Sequence, residues 1–171
     1  SGPSLDARVI YLSWAEAGEG NTRGAAVGKG TLACPQKDSC SLEGLQVIWR
    51  QVPKVTGHGH YSHRLAFSPD GKYLFVSSGD RQKLTPAQDL DSSLGKIIRL
   101  LPDGKPAPGN PWAEEGGAAA ELWTIGHRNP LGLAFDADGS PVEPEWPSVD
   151  VIVSNPPFLG AKKMIGELGE A

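Results

Sequence analysis

A seven-residue element occurs twice in the chain, and it limits the possible fold more than any other feature. Residues 65–71 (LAFSPDG) return as residues 133–139 (LAFDADG). An apolar strand followed by an Asp-Gly hairpin is a common building unit of β-propeller blades. The spacing between the two copies exceeds that of a bare four-stranded blade. The sequence therefore predicts blades with inserted loops.

Short strand-like segments fill most of the chain before Gly139, and turn signals separate them. They are residues 9–14, 25–32, 46–50, 72–77, 96–101 and 121–125. Several turns contain an Asp-Gly pair, in which Asp bonds its own backbone and Gly accepts a positive φ. The 22 Gly and 15 Pro residues also favour turns over long helices. We expect an all-β fold, with a propeller in preference to a sandwich.

Charge and hydropathy restrict the partners. The formal net charge of −4 gives no electrostatic attraction to nucleic acid or to an anionic membrane. No apolar run approaches the roughly 20 residues that a membrane-spanning helix needs. The chain starts with SGPS, without an initiating Met or the basic segment of a leader, and strand-like residues 9–14 follow almost at once. We therefore expect this sequence to begin within a longer protein.

The two cysteines, Cys34 and Cys40, are separated by five residues. A disulfide across so small a loop is geometrically possible and would suit an oxidising compartment such as a periplasm. Two free thiols beside a surface turn are an equally good interpretation, and both stay open at this point. A zinc site is disfavoured because no third and fourth Cys or His ligand lies nearby. We predict no metal-binding residues within this chain.

Three of the four histidines lie in residues 57–65 (GHGHYSHRL). Composition alone favours a polar loop without a task, or one that binds metal adventitiously. The sequence around this segment changes that interpretation, because further motifs follow it through much of the chain in the order that a known family has. They are PDG at 69–71, GDR at 79–81, AQDL at 87–90, LGKIIR at 94–99, NP at 110–111, ELW at 121–123 and GHRNP at 126–130. Up to Gly139 the chain resembles the soluble aldose dehydrogenases that use pyrroloquinoline quinone (PQQ), also called glucose/sorbosone dehydrogenases, which fold as six-bladed β-propellers.

The resemblance implies a reaction and a set of residues that perform it. The family oxidises the anomeric hydroxyl of aldose sugars to lactones by hydride transfer to PQQ. His60 matches the general base, and imidazole titrates near neutrality, as that role requires. Asp80 matches the carboxylate that orients this imidazole. Arg128 matches the cation on the quinone oxygens, and Asn129 matches a second cofactor contact.

Structural alternatives stand beside these assignments. Asp80 lies in a Ser-Gly-Asp turn that its carboxylate could merely cap, and Arg128 could pair with a carbonyl or a carboxylate. His63 and His127 match no catalytic position, so we expect structural roles for both.

The resemblance also implies a cofactor set and a location. Calcium would accompany PQQ, an aldose sugar would be the substrate, and the protein would be periplasmic or secreted. The acidic Gly-Pro segment that would hold the calcium is expected soon after Gly139, and this sequence does not contain it. Measured against the six-bladed family, we therefore expect an incomplete sugar-oxidation site, with residues 1–139 forming a partial propeller of about two blades with open sheet edges.

A second resemblance covers the end of the chain. Residues 140–148 are rich in Pro and Glu and predict a linker. Residues 149–171 resemble the NPPF region of adenine-specific DNA methyltransferases, with an apolar strand before the motif and a predicted helix after it. In that family the motif holds a flipped adenine. The matching residues here are Asn155, Pro156, Pro157 and Phe158.

Two alternatives to the sugar dehydrogenase therefore remain open. One is a cytoplasmic methyltransferase fragment that uses S-adenosylmethionine and binds nucleic acid. No donor-binding strand with its acidic-Gly-x-Gly loop precedes the motif, so methyl transfer by this chain is not expected. The other alternative is an inactive chimeric or truncated product.

Overall fold

The computed structural model describes residues 9–36 and 39–135. All of them belong to one compact unit, Ser1–Pro141. In this part of the chain seven strands occur, joined by loops and single turns of 3-10 helix. The strands are β1 (Val9–Ala17), β2 (Arg23–Gln36), β3 (Ser39–Arg50), β4 (Ser62–Phe67), β5 (Leu74–Ser78), β6 (Lys96–Leu100) and β7 (Leu122–Thr124). The 3-10 turns are Glu19–Asn21, Thr85–Gln88, Ala113–Glu115 and Ala119–Glu121.

The strands form two antiparallel sheets, one in the order β1-β2-β3 and one in the order β4-β5-β6-β7. Strands that follow one another in the chain are neighbours in each sheet, which is the meander expected of a propeller blade. The all-β prediction of a partial propeller with about two blades is confirmed.

The first sheet is dominated by the hairpin of β2 and β3. The two strands pair from Ala26 opposite Arg50 to Gln36 opposite Ser39, with register shifts at three places. Near the tip Cys34 and Cys40 are joined by a disulfide. Of the two interpretations of these cysteines, the structure has the bridged one.

The core lies between the two sheets. The first sheet contributes Ala25, Val27 and Trp49, all at most 4% exposed. The second sheet contributes one face of its strands, formed by Leu74, Val76, Ile98, Leu100 and Leu122, each fully buried. Because side chains alternate between the two faces of a strand, the intervening Phe75 and Ile97 point to the opposite face. That face lines a groove of about 260 Å³ together with Trp123 and Phe135.

The second copy of the repeated element differs from its prediction. Residues 65–67 of the first copy lie in β4, but residues 133–135 form no strand. Phe135 is 38% exposed and packs edge-on against Phe75, with ring centroids 5.1 Å apart. The Asp-Gly turn of this copy begins at residue 136 and lies outside the described residues.

Other predictions also concern residues that are not described. The predicted linker, residues 140–148, and the methyltransferase-like segment, residues 149–171, both lie there. The same holds for the motif residues Asn155, Pro156, Pro157 and Phe158. Within residues 9–36 and 39–135, no helix has the length and apolar character that crossing a bilayer requires.

Candidate active site

Three loops that are distant in sequence meet at one end of the second sheet. They precede β4, follow β5 and follow β7. The backbone N–H of Asp80 donates to the carbonyl of Arg128 at 2.8 Å. The hydroxyl of Ser62 donates to Oδ1 of Asn129 at 3.0 Å. These two bonds bring three segments into one junction: the loop that carries His60, the loop that carries Asp80, and the loop that carries Arg128 and Asn129.

His60 and Asp80 are in direct contact. Nδ1 of His60 lies 2.7 Å from Oδ1 of Asp80, whose side chain is only 2% exposed. An ionised carboxylate can only accept a hydrogen bond, so Nδ1–H of the imidazole is the donor. In the neutral ring this leaves Nε2 as the basic nitrogen. The His60 side chain is 19% exposed, which permits access to a small molecule.

Asp80 performs two functions at once. Its Oδ1 also accepts the backbone N–H of Gln82 at 2.8 Å, a bond typical of Asx turns. The turn-capping role that the sequence left open is therefore present together with the contact to His60. A carboxylate held from two sides presents a fixed acceptor to the imidazole.

Backbone strain is concentrated in this region. Six non-glycine residues of the two loops and the start of β4 have a positive φ: His60 (53°), Ser62 (57°), His63 (43°), Arg81 (53°), Gln82 (61°) and Leu84 (63°). Each such conformation costs about 1–3 kcal/mol, and clusters of them occur at ligand and catalytic sites. The surrounding contacts must therefore hold the loops in these conformations.

Gly79 permits the close approach of these loops. A Cβ atom at this position would lie 1.9 Å from the carbonyl oxygen of His60 and 3.0 Å from Oγ of Ser62. The φ of Gly79 is not in the left-handed region, so space and not backbone freedom requires glycine here. The GDR motif thus supplies both the carboxylate and the gap in which the His60 loop lies.

Gln51 was not identified from the sequence, yet it connects both sheets to the site. This fully buried residue accepts the backbone N–H of Ala25 at 3.2 Å through Oε1. Its Nε2 donates to Oγ of Ser78 at 2.7 Å and to the carbonyl of Gly79 at 3.0 Å. A Gln directly after an apolar strand was the only available signal. Arg81, also overlooked, is 1% exposed in the same region.

The two remaining histidines of interest have other partners. His63 contacts Oγ of Ser13 through Nδ1 at 3.1 Å, and Nε2 of His127 lies 2.7 Å from Oγ1 of Thr124. Burial lowers the pKa of both rings, and the charge of Lys96 lowers the pKa of His127 further. His58, His60 and His63 do not converge on one point. In residues 9–36 and 39–135 no group of three His, Cys, Asp or Glu side chains could hold a metal ion.

Comparison with known proteins assigns the part of the chain that holds both sheets and the site motifs to one family. The family model described as glucose / sorbosone dehydrogenase matches residues 4–146. The chain belongs to this family. The match covers the described part of the chain and the candidate residues His60, Asp80, Arg128 and Asn129.

Individual relatives of this glucose / sorbosone dehydrogenase chain agree. Aldose sugar dehydrogenase YliI of Escherichia coli strain K12 is 40% identical over 130 residues, which are 75% of this chain and 34% of the relative. A solved glucose dehydrogenase superposes with a TM-score of 0.73 at 41% identity, over 80% of this chain and 40% of that one. The PQQ-bound aldose sugar dehydrogenase of Streptomyces coelicolor gives a TM-score of 0.64 at 29% identity, over 78% and 36% of the two chains. The chain thus spans little more than a third of the length of these proteins.

Proposed function

We propose that this chain supplies the general-base side of a site that oxidises aldose sugars with PQQ. The observation that carries the proposal is the bond from Nδ1 of His60 to Asp80 at the junction of three loops. A proton acceptor and its orienting carboxylate are the protein groups that removal of a hydroxyl proton needs. The family membership and the PQQ-bound relative support the same assignment.

The roles follow from the geometry of the pair. Nε2 of His60 would accept the proton of the anomeric hydroxyl while the C1–H bond of the sugar breaks. Asp80 would stabilise the imidazolium that results, because its carboxylate already accepts the opposite N–H. When bound, the quinone supplies the acceptor for the hydride, and the sugar leaves as a lactone.

The residues next to the pair fit an anionic quinone. Arg128 is half-buried and lies shortly after the end of β7. Its backbone carbonyl accepts the backbone N–H of Asp80. A guanidinium fixed there would stabilise negative charge on quinone oxygens or carboxylates. The amide of Asn129 accepts from Ser62 through Oδ1, which leaves its NH2 group as the donor toward a ligand. A base, a cation and an amide donor are thus grouped at one junction.

Cofactor binding is tested by thermal unfolding of the chain with PQQ and calcium, the metal that the resemblance implies beside the quinone. Ligand that binds only the native state raises Tm by mass action. We expect a concentration-dependent rise for the wild type and its loss in Arg128→Ala. Arg64→Ala is the matched control, because Arg64 donates to the carbonyl of Leu131 and has no assigned role in the site. An unchanged Tm at saturating PQQ would contradict cofactor binding.

Catalysis is tested separately by following sugar-dependent reduction of a redox dye. His60→Ala should keep the PQQ-induced rise in Tm and lose the dye reduction, because it removes the base and leaves Arg128 and Asn129 in place. A wild type that reduces the dye and a His60→Ala variant that reduces it at the same rate would refute the role of His60. Equal loss of PQQ binding in His60→Ala and Arg128→Ala would assign His60 to cofactor binding instead.

We also propose an oxidising location such as the periplasm. The support is the disulfide between Cys34 and Cys40, since such bonds persist mainly outside reducing compartments. Thiol labelling of the protein from its native source tests this: the cysteines should react only after reduction. Full labelling without reductant would contradict the proposal.

A further inference from the structure

Arg81 is an almost fully buried cation for which the sugar-oxidation chemistry has no direct use. It follows Asp80 in the chain and is 1% exposed. Its guanidinium donates to three backbone carbonyls. Nε bonds Gly59 at 2.9 Å, Nη2 bonds Gly57 at 2.6 Å, and Nη1 bonds Arg23. Two of these carbonyls belong to the loop that carries His60.

The same guanidinium stacks on the ring that follows His60. Cζ of Arg81 lies 3.8 Å from the ring centroid of Tyr61. The hydroxyl of Tyr61 in turn donates to the carbonyl of Gly57 at 3.4 Å. The guanidinium therefore contacts the His60 loop on the N-terminal side of the histidine through hydrogen bonds and on its C-terminal side through stacking.

The backbone of Arg81 adds a further connection. Its N–H donates to the carbonyl of His60 at 3.4 Å, and its neighbour in the chain is Asp80. One residue thus touches the loop of the base and is covalently joined to the carboxylate that orients the base. Displacement of Arg81 would change the position of both partners of the His60–Asp80 hydrogen bond.

We propose that Arg81 is a positioning residue that holds the His60 loop so that Nδ1 of the imidazole meets Asp80. The inference rests on the proposed function, in which His60 is the base, and its geometry comes from the contacts described above. The left-handed backbone of His60 is unfavourable on its own, so surrounding bonds must select it. A planar guanidinium can donate from three separate nitrogens and stack on a ring at the same time, whereas the three donors of a lysine ammonium lie on one atom that has no flat face.

The readout is the tautomer of His60, measured by two-dimensional NMR of the imidazole nitrogens in the 15N-labelled full chain. Mildly alkaline pH is used because imidazoles are then mostly neutral. The imidazole signals of His60 are identified by their absence from the spectrum of His60→Ala. The wild type is expected to show the proton on Nδ1. In Arg81→Lys we expect the Nδ1–H form to lose its dominance and Nε2–H to appear.

Arg99→Lys is the matched control. Arg99 is 9% exposed, lies 3.9 Å over the ring of Trp123 and donates to Oδ1 of Asn110 and the carbonyl of Pro108. It therefore loses comparable contacts on substitution, but none with the His60 loop. Thermal unfolding of both variants should show a lowered Tm, whereas only Arg81→Lys should change the tautomer. A wild-type tautomer in Arg81→Lys, or the same change in Arg99→Lys, would overturn the proposal.

A second variant covers the case in which Arg81→Lys does not fold. Tyr61→Leu removes the stacked ring and keeps the three carbonyl bonds of Arg81, so a smaller tautomer change is expected. No change in Tyr61→Leu under those conditions would count against the proposal. The measurement needs neither PQQ nor sugar. A failed cofactor-binding test therefore removes the proposed function without altering this result, and an unchanged tautomer removes Arg81 without altering cofactor binding.

Discussion

Replacement of Gly79 by alanine is the sharpest test of how the site is built. The new Cβ would lie 1.9 Å from the carbonyl oxygen of His60, whereas real Cβ atoms are not found within 3.0 Å of such an atom. The difference of these two distances requires a relative shift of 1.1 Å. His60 or the Gly79–Asp80 backbone must move by that amount. The hydrogen bond between Nδ1 of His60 and Asp80 is 2.7 Å long, and a shift of this size is enough to break it.

The expected cost follows from the rigidity of the surroundings. Insertion of a methyl group into a packed site costs about 1–3 kcal/mol, because neighbouring atoms must move out of their minima. Taking roughly 4 °C per kcal/mol for a domain of this size, we expect Tm to fall by about 4–12 °C. The carbonyl of Gly79 is bonded to the buried amide of Gln51, which prevents the strand end from relaxing freely.

The assay combines thermal unfolding with the NMR tautomer measurement on Gly79→Ala. Gly132→Ala is the control, because a Cβ at Gly132 meets no atom within 4 Å and its φ is outside the left-handed region. Its stability should stay within about 0.5 kcal/mol of the wild type. We expect Gly79→Ala to lower Tm and to disturb the His60 tautomer, and Gly132→Ala to do neither. A Gly79→Ala protein with wild-type Tm and tautomer would refute the close approach of the two loops.

Three further predictions concern buried or cross-linked groups. Burial raises the pKa of the Glu121 carboxyl, which accepts a hydrogen bond from the indole of Trp49. Above this raised pKa the carboxyl is ionised in the folded protein, and its ionisation destabilises the fold. Glu121→Gln should therefore raise Tm at neutral pH, and the difference in Tm from the wild type should disappear on acidification. Burial lowers the pKa of Lys96 to about 8 from 10.5. Between these two pH values the unfolded chain binds more protons than the folded one, so the free energy of unfolding should rise with pH there. Lys96→Met should lack this rise in urea titrations, and an identical pH profile would contradict the assignment. Removal of the Cys34–Cys40 bridge by a double Ser substitution should cost about 2 kcal/mol in the same titrations, and an unchanged midpoint would argue against an entropic contribution.

The strand pattern was accessible from the sequence because local rules determine it. Apolar segments of five or six residues between Asp-Gly turns predicted the positions of β5, β6 and β7 to within a few residues. The hairpin of β2 and β3 is longer than expected, since residues 33–36 and 39–45 have poor strand propensity. Pairing and the disulfide extend these strands, and neither is a property of a single segment.

The site residues divide in the same way. His60, Asp80, Arg128 and Asn129 were predicted from motifs that resemble a known family, and the structure brings their loops together. Gln51, Gly79 and Arg81 were missed as contributors to the site. Their partners are mostly backbone carbonyls, which every residue has, so no sequence pattern marks such contacts.

By itself, the amino-acid sequence determined the all-β character, the turn positions and the family to which the chain belongs. Each of these depends on residue type and spacing along the chain. Only the tertiary structure decided that the imidazole of His60 meets the carboxylate of Asp80, and that Arg81 and Gly79 lie against the His60 loop. The physical reason is that hydrogen bonds and steric gaps depend on differences of a few tenths of an ångström in the distances between loops that are up to 67 residues apart. Such distances arise when the sheets pack, and no local segment contains them.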